Sequence, residues 1–549
     1  MNKFAATVYL FFVFTCMGFS QINPAQDYLS INNIFMWIYN DGRSSHDPRT
    51  DGGGLFWSMS QNPQGVVYQD GLVWGGKVNG EVRVNGSTYR TGIKPGNMID
   101  LNNFGNPNDS LFGIWKLKEN WEQTSGAEKD RYEYNYKNWP GYLGAPYEDV
   151  DHDGKFSLEV DKPKIFGDEM LWFVANDGDS AKSDSCYGSP PIGLELQGTV
   201  FGFAQENYLK DVVFKKYKLI NKSQTTVEEM ALSYWSDPDL GFAGDDFIGI
   251  DTTLQMSYCY NGDNNDEDFY GENPPAIGYL YLQNPYVQSA QSDSGLIDGK
   301  WRKGIKNIRI GANIPGLKQM GSGTFSDPPM NQYIGTVHWY NFMNGLGRDT
   351  LPMVDPNTQQ KVKIALAGDP VVKTGWYEGE GWPNGPSLGG DRRLYTSTEK
   401  FTLAPEDTQE IVIAILLARG TSNLNSITEL RNVATQVRDF YYSQFLTDVN
   451  DETVQPREFV LHQNFPNPFN PSTVISYQLS VSSKVSLKVY DILGNEVVTL
   501  VDEVKPAGKY QVNFNTQNTT NGKQLTSGVY FYQLHAGDFI QTKKMIILK

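Results

Sequence analysis

Near the carboxyl end, apolar residues fall at every second position in short runs: Ile475, Tyr477 and Leu479, then Val485, Leu487 and Val489. Such alternation sets one face of a strand against a core and the other in water. Leu493-Gly494-Asn495 and Pro506-Ala507-Gly508 supply turns between them, since glycine and asparagine tolerate positive φ. Upstream the pattern changes to unbroken apolar runs, Met170 to Ala175 and Ile411 to Ala418, which predict buried strands. Val212 to Ile220 and Val227 to Trp235 alternate on both arms of Asn221-Lys222-Ser223 and predict a hairpin. Ile34 to Asn40, Gly65 to Tyr68, Leu72 to Val78, Leu194 to Phe203, Ile277 to Leu282 and Tyr333 to Tyr340 read as further strands, with Asn79-Gly80 and Asn85-Gly86 as hairpin turns.

Helical spacing stands out in one place. Ile427, Leu430, Val433, Val437, Phe440 and Tyr441 recur on one face, and Ser426 with Glu429 forms a capping box, so a helix is expected over 426–445. Between Asn102 and Pro140 the periodicity is weak, which reads as loop or a short surface helix. The chain is therefore expected to be mainly β. Its larger part should hold one or more β-sandwich domains, Ig-like or jelly-roll, with one C-terminal helix, and a small Ig-like β-sandwich should follow. The 54 Gly, 28 Pro and 13% aromatic residues among 549 fit turns and strands better than helices.

Met1-Asn2-Lys3, the apolar Tyr9 to Phe14 and the small Gly18 and Ser20 describe a cleavable secretory signal over 1–20. The remainder divides on pattern into a β-rich region at 21–140, a β-sandwich region at 141–446, a polar linker at 447–458 and a terminal module at 459–549. No later stretch is long and apolar enough for a membrane helix.

The terminal module opens with Asn464-Phe465-Pro466-Asn467-Pro468-Phe469-Asn470-Pro471, a string that cannot sit in a central strand because proline lacks the ladder donor. Val489-Tyr490-Asp491 with Gly494, Leu525 to Tyr532 including Gly528 and Tyr530, and Lys543-Lys544-Met545-Ile546-Ile547 follow. On these motifs the module resembles the type A C-terminal sorting domain of cargo exported by the type IX secretion system of Bacteroidetes-like bacteria. The resemblance covers about the last ninety residues. It implies transport across the outer membrane, recognition by the type IX machinery, removal of the module and attachment to surface lipopolysaccharide. The cell surface or the extracellular space is then the expected destination.

Charge narrows the partners. With 46 Lys+Arg against 63 Asp+Glu, the net charge of −17 argues against nucleic acid. Acidic residues also supply the main candidate chemistry. Asp149, Asp151 and Asp153 alternate ahead of Gly154, with the Lys155 carbonyl and the Ser157 hydroxyl following, which is the first half of a structural calcium loop. Val160 stands where an EF-hand places its bidentate glutamate, so Glu159, Asp161 or a distant residue must close the site; a metal-free Asp/Gly turn fits the same string. Asp237, Asp239, Asp245 and Asp246 form a weaker metal candidate. Cys186 and Cys259 are a candidate disulfide pair in an oxidising compartment.

Trp376-Tyr377-Glu378-Gly379-Glu380-Gly381-Trp382 places two carboxylates among aromatics, a composition suited to sugars, in a Gly/Pro loop that defines no separation between them. Gly385-Pro386-Ser387-Leu388-Gly389 matches a nucleophile elbow by letters but lacks the strand and helix that the motif needs. No catalytic residue is assigned. The reading is an exported structural or adhesive protein, with a carbohydrate-binding or glycoside-hydrolysing protein as the alternative and a glycan or protein as the ligand.

Overall fold

The unbroken apolar runs mark the middle of the fold. Strands Glu169–Asn176 and Thr408–Ala418 lie in one antiparallel sheet and are covered on both faces. Leu171, Phe173, Ala175, Ile411, Ile413, Ile415 and Leu417 enter one buried cluster. Met170, Trp172, Val174, Val412, Ala414 and Leu416, the alternate residues, enter a second. A strand with two dry faces has no polar positions to show.

The computed structural model describes residues 23–57, 64–267, 269–317, 324–379, 389–445, 459–464, 467–506, 508–516, 525–537 and 539–548. The chain forms two units, dividing between Leu446 and Thr447. The proposed signal at 1–20, the linker at 447–458 and Pro466 lie outside the described residues.

In the larger unit, the nine-stranded sheet runs Trp115–Lys118, Glu169–Asn176, Leu194–Gly202, Val212–Asn221, Thr408–Ala418, Ala276–Gln283, Met256–Asn261 and Asp246–Asp251, with one short strand off this path. The ten-stranded sheet runs Gln26–Leu29, Ile34–Tyr39, Arg43–Ser44, Gln64–Val78, Val227–Pro238, Arg392–Thr398 and Ile310–Leu317, with three strands off its path. The two sheets meet across the first cluster. Tyr234 and Ser236 reach over from the ten-stranded sheet to Lys215 and Tyr279 of the other.

Helices cover the outer faces. On the ten-stranded sheet, α3 (Tyr333–Met343) stacks Trp339 and Phe342 on Tyr395, with ring centroids 5.3 and 4.9 Å apart. On the nine-stranded sheet, α4 (Asn423–Phe440) sends Ile427, Leu430, Ala434 and Val437 into the second cluster. Each fully buried Ile or Leu there contributes about 1.5–3 kcal/mol. Helices α1 (Gly126–Lys137) and α2 (Ser180–Tyr187) are shorter; Asn135 of α1 donates to the Lys116 carbonyl at 3.0 Å.

The mainly β class holds, with four α-helices among the described residues rather than one. Several local expectations fail for tertiary reasons. Tyr333–Met343 is a helix although its residues favour strands, because the face carrying Gly335, Trp339, Phe342 and Met343 packs on a sheet. Strands Val212–Asn221 and Val227–Pro238 do not form a hairpin. The first pairs with Thr408–Ala418 and the second with Gln64–Val78, so the chain crosses between sheets at Asn221. That turn is tied down by Asn221 Nδ2, which donates to the carbonyls of Thr225 and Leu403.

Asn79-Gly80 is a hairpin turn with both φ angles positive, but Asn85-Gly86 continues the strand Glu81–Gly86. Helix α4 starts at the Ser422 cap, whose side chain accepts from Asn425 N, and ends at Phe440 before a wider turn over Tyr441–Phe445. Ser426 is instead buried and donates to the Pro274 carbonyl. No domain boundary falls near 140, since strands from 21–140 share both sheets with later ones.

The smaller unit has a three-stranded sheet, Val460–Leu461, Ser472–Leu479 and Gly508–Asn515, and a four-stranded one, Glu496–Lys505, Ser483–Tyr490, Gly528–Ala536 and Phe539–Ile547. One core joins them, filled by Ile475, Tyr477, Leu479, Val485, Leu487 and Val489 with Tyr532, Leu534 and Met545. The alternation seen in the sequence is the alternation of this core.

Candidate functional site

The loop 149–161 is held at its base by the pairing of Tyr147–Glu148 with Lys162–Pro163. Within it, carboxylate oxygens of Asp149, Asp151 and Asp153 lie within 4.8 Å of one another. Each also accepts from a backbone N–H inside the loop: Asp149 Oδ2 from Gly154 at 3.0 Å, Asp151 Oδ1 from Asp153 at 3.3 Å, and Asp153 Oδ1 from Lys155 at 2.7 Å. Gly154 at φ 76° supplies the sharp bend. Asp149 Oδ1 is buried with no hydrogen-bond partner.

Asp161 closes the loop. It is 5% exposed and accepts from Val150 N at 2.9 Å and Ser157 N at 2.7 Å, so it shapes the loop from behind. Glu159 and Lys155 are exposed, and Ser157 is half-buried. Three convergent carboxylates, one of which carries a buried oxygen without a hydrogen bond, suit the hard oxygen preference of Ca²⁺.

The second acidic candidate is regrouped. Asp237 and Asp239 converge with Asp391 within 4.8 Å; Asp245 and Asp246 do not join them. Arg393 already supplies positive charge there. Its Nη1 lies 2.6 Å from Asp237 Oδ1 and also pairs with Asp391. Tyr89 donates to Asp237 Oδ2 at 2.6 Å. Burial pushes the Asp237 carboxyl up to about 8 against the pull of Arg393, with Asp239 and Asp327 adding to the rise. Asp245 accepts from Asn261 at 2.8 Å and is pushed up to about 6 by burial. Asp246 is fully buried and accepts from Leu240 N at 3.1 Å.

Beside Asp237 opens a cavity of about 280 Å³ lined by Thr88, Tyr89, Arg90, Trp235, Asp327, Pro328, Met330 and Trp339. Tyr89 and Trp235 meet edge to face at 4.5 Å, and the Arg393 guanidinium lies 5.4 Å from the Tyr89 ring. Arg90 is exposed. Sequence reasoning missed this cavity because its walls come from four distant segments; Trp235 at the end of an alternating strand was the one local signal.

The aromatic loop is not an open sugar platform in its described part. Trp376 and Tyr377 are buried, and Glu378 pairs with Arg392 at 2.5 Å while accepting from Ile248 N at 2.8 Å. Glu380, Gly381, Trp382 and residues 385–388 of the serine string lie outside the described residues. Cys186 and Cys259 are free and buried, which corrects the pairing offered above. Cys186 sits on α2 near Lys182 and Arg90, whereas Cys259 sits beside Asp246 in the other sheet. Burial pushes the Cys186 thiol up to about 12, so it is a poor thiolate.

In the smaller unit the motif residues converge. Phe469 N donates to the Ile546 carbonyl at 3.0 Å, Asn467 Oδ1 accepts from Ile546 N at 2.7 Å, and the Lys544 carbonyl accepts from Gln463 at 2.7 Å. Gln463, Asn467 and Phe469 thus bond the closing strand that carries Lys543 and Lys544, with Pro468 between the last two, while Asn464 bonds Tyr532 and Thr473. Gly494 turns at φ 83° on Asp491, and Tyr530 of the strand opened by Gly528 donates to the Thr526 carbonyl at 3.2 Å.

A small two-sheet module that draws its Asn/Pro lead-in and basic end together, behind a much larger β body, defines an exported cargo protein with a terminal address. Residues 463–548 match the family described as the Secretion system C-terminal sorting domain, and the terminal module is such a domain of the type IX system. It directs export through that system, toward the cell surface or the extracellular space, and is recognised by its machinery. No curated protein matches the chain.

Two solved structures are similar to parts of it. A polysaccharide lyase is 8% identical, with a TM-score of 0.18, over 66% of this chain and 36% of that one. Dimeric latent PorU from Porphyromonas gingivalis is 11% identical, with a TM-score of 0.15, over 69% and 31%. The chain spans about a third of the length of each, and neither likeness bears on its role. Among the described residues, no helix is long and apolar enough to cross a membrane.

Proposed function

We propose that the larger unit is a structural or adhesive element displayed outside the cell, led across the inner membrane by the signal at 1–20 and stiffened by calcium at 149–161. One observation carries this reading: Glu378 of the aromatic loop and the acids behind the cavity wall are occupied in buried contacts, and Asp327, the half-buried acid of the wall itself, bonds the Tyr395 hydroxyl. Glu378 is paired with Arg392, Asp237 with Arg393 and Tyr89, and Asp246 with backbone. Groups held this way hold walls in place; a glycosidase acid and base need to reach substrate. After transport the sorting module is removed and the body is attached to surface lipopolysaccharide, as the family resemblance implies.

The test is a strain lacking residues 459–549, compared with its parent for cargo on the envelope and for adhesion to glycan- and protein-coated surfaces. Loss of both together supports the reading. Loss of surface cargo with adhesion unchanged removes the adhesive role, and continued surface display removes the sorting role.

A glycan ligand is the second reading, favoured by the aromatic lining of the cavity at Tyr89, Trp235 and Trp339. A glycan array on the full chain and on Arg90→Ala tests it, with binding weakened by the substitution as the expected result. No binding by the wild type rejects it.

A further inference from the structure

Between the two large sheets, Lys215 of strand Val212–Asn221 and Asp70 of strand Gln64–Val78 are wholly without solvent exposure, with Lys215 Nζ 2.8 Å from Asp70 Oδ1. Nζ also donates to Ser44 Oγ at 2.6 Å and to Tyr234 Oη at 2.7 Å. Ser44 Oγ donates in turn to Asp70 Oδ1. The other carboxylate oxygen, Asp70 Oδ2, is buried with no hydrogen-bond partner. Tyr217, Tyr234 and Tyr279 surround the group and complete a dry enclosure.

Asp70 Oδ2 thus lacks the donors that hold Oδ1. Burial pushes the Lys215 ammonium down, which favours the free amine. Passing one proton from Nζ to Asp70 converts two buried charges into none. What remains is a primary amine fixed against a carboxylic acid, with water excluded from the reverse reaction.

We propose that Lys215 and Asp70 condense into an intramolecular amide that crosslinks the two sheets. Nζ attacks Cγ, the Nζ–Cγ bond forms and the Cγ–Oδ2 bond breaks. Oδ2 leaves as water with the carboxyl proton and one proton from Nζ, so no oxidant, reductant or cofactor enters the balance. Oδ1 becomes the amide carbonyl oxygen and keeps the Ser44 hydroxyl as its donor, which stabilises the charge that develops there. Tyr234 Oη accepts from Nζ and helps to fix the amine against the carboxyl group. The bond would join positions 145 residues apart in the chain, a constraint that persists on unfolding. It does not rest on the structural or adhesive reading and stands or falls separately.

The test is the intact mass of the denatured chain 21–549, expressed without its signal in a host that lacks the type IX system so that the sorting module stays in place, with fragment spectra of its tryptic peptides. The expected wild-type mass is lower than the sequence mass by one water, and a branched peptide joins the segment holding Asp70 to the one holding Lys215. Lys215→Arg and Asp70→Ala should restore the sequence mass. Asp70→Asn, which keeps the shape, should lose one ammonia in place of the water. A folded wild type at full sequence mass, or a water loss that the fragments place elsewhere, overturns the crosslink. Should the variants fail to fold, the wild-type branched peptide decides alone.

Discussion

Tyr532 holds Asn464 in place: its hydroxyl accepts from the Asn464 backbone N–H at 2.7 Å and donates to the His462 carbonyl at 2.8 Å. Tyr532 has no exposed surface and stands within strand Gly528–Ala536, so a single phenol fastens the Asn/Pro lead-in to the core of the sorting module. The Asn464 amide adds a bond to Thr473 Oγ1 at 2.9 Å.

Tyr532→Phe keeps the ring and leaves a buried N–H unsatisfied. The module should lose about 1–3 kcal/mol of stability. Urea unfolding of the full chain, followed by a probe in the terminal module, reads the change, and an unchanged midpoint would show that the phenol is not the fastening.

Calcium should raise the melting temperature of the larger unit, and chelator should lower it. At a free calcium concentration a hundredfold above its dissociation constant, the gain is about 2.7 kcal/mol. The double substitution Asp149→Asn with Asp151→Asn should melt alike with and without calcium, because it removes two of the converging carboxylates. A wild type indifferent to chelator leaves the loop as a plain turn.

Above about pH 8, where Asp237 is ionised, Arg393→Met leaves its carboxylate buried without a cation. Breaking such a pair from one side costs about 3–5 kcal/mol. Arg393→Lys, which keeps the charge but loses the planar fork, should fall between the two. Equal stability of all three proteins in denaturant would mean that the pair is no anchor.

Burial pushes the Asp246 carboxyl well above the usual range. The folded chain keeps that proton at pH values where the unfolded chain, with an ordinary pKa near 4, has released it. The folded state binds more protons, so the stability tied to Asp246 is fullest below about pH 4 and is lost as pH rises toward the folded value. Asp246→Asn removes the dependence. Relative to that variant, the wild type should weaken with rising pH, by at most about 1.4 kcal/mol per pH unit. Parallel curves across the range would show Asp246 ionised in the fold.

Ser422→Ala should cost about 1 kcal/mol, since Ser422 caps α4 by accepting from Asn425 N. Ser426→Ala should be felt through the bond to the Pro274 carbonyl and not through the helix end. Denaturation of both variants separates the two roles, because only the first should lower helix content before global unfolding.

The sorting module was legible because its information is local. Ile475, Tyr477 and Leu479 alternate, Gly494 turns, and the Asn/Pro string excludes itself from the sheet, all within a few residues of one another. The convergence of the acidic loop was legible for the same reason, as Asp149, Asp151 and Asp153 meet through one short wrap of chain. The cavity was not legible, since Tyr89, Trp235, Asp327 and Trp339 meet only after the ten-stranded sheet, its flanking loops and α3 have assembled. Alternation in Val212–Asn221 and Val227–Pro238 was read correctly as two strands and wrongly as a pair, because side-chain period says which face is buried and nothing about which neighbour supplies the ladder.

Residue order alone settled the period of each strand, the glycine and asparagine turns, the motif set of the export address and the spacing of the acidic loop. These depend on chemistry that reaches only a few residues along the chain. Assembly in three dimensions decided which strands share a sheet, that Tyr333–Met343 is a helix, and that Asp237 and Glu378 end in ion pairs with Arg393 and Arg392. It also brought Lys215 against Asp70. Burial is a property of the packed whole, and burial makes a carboxylate a wall, a ligand or a reactant.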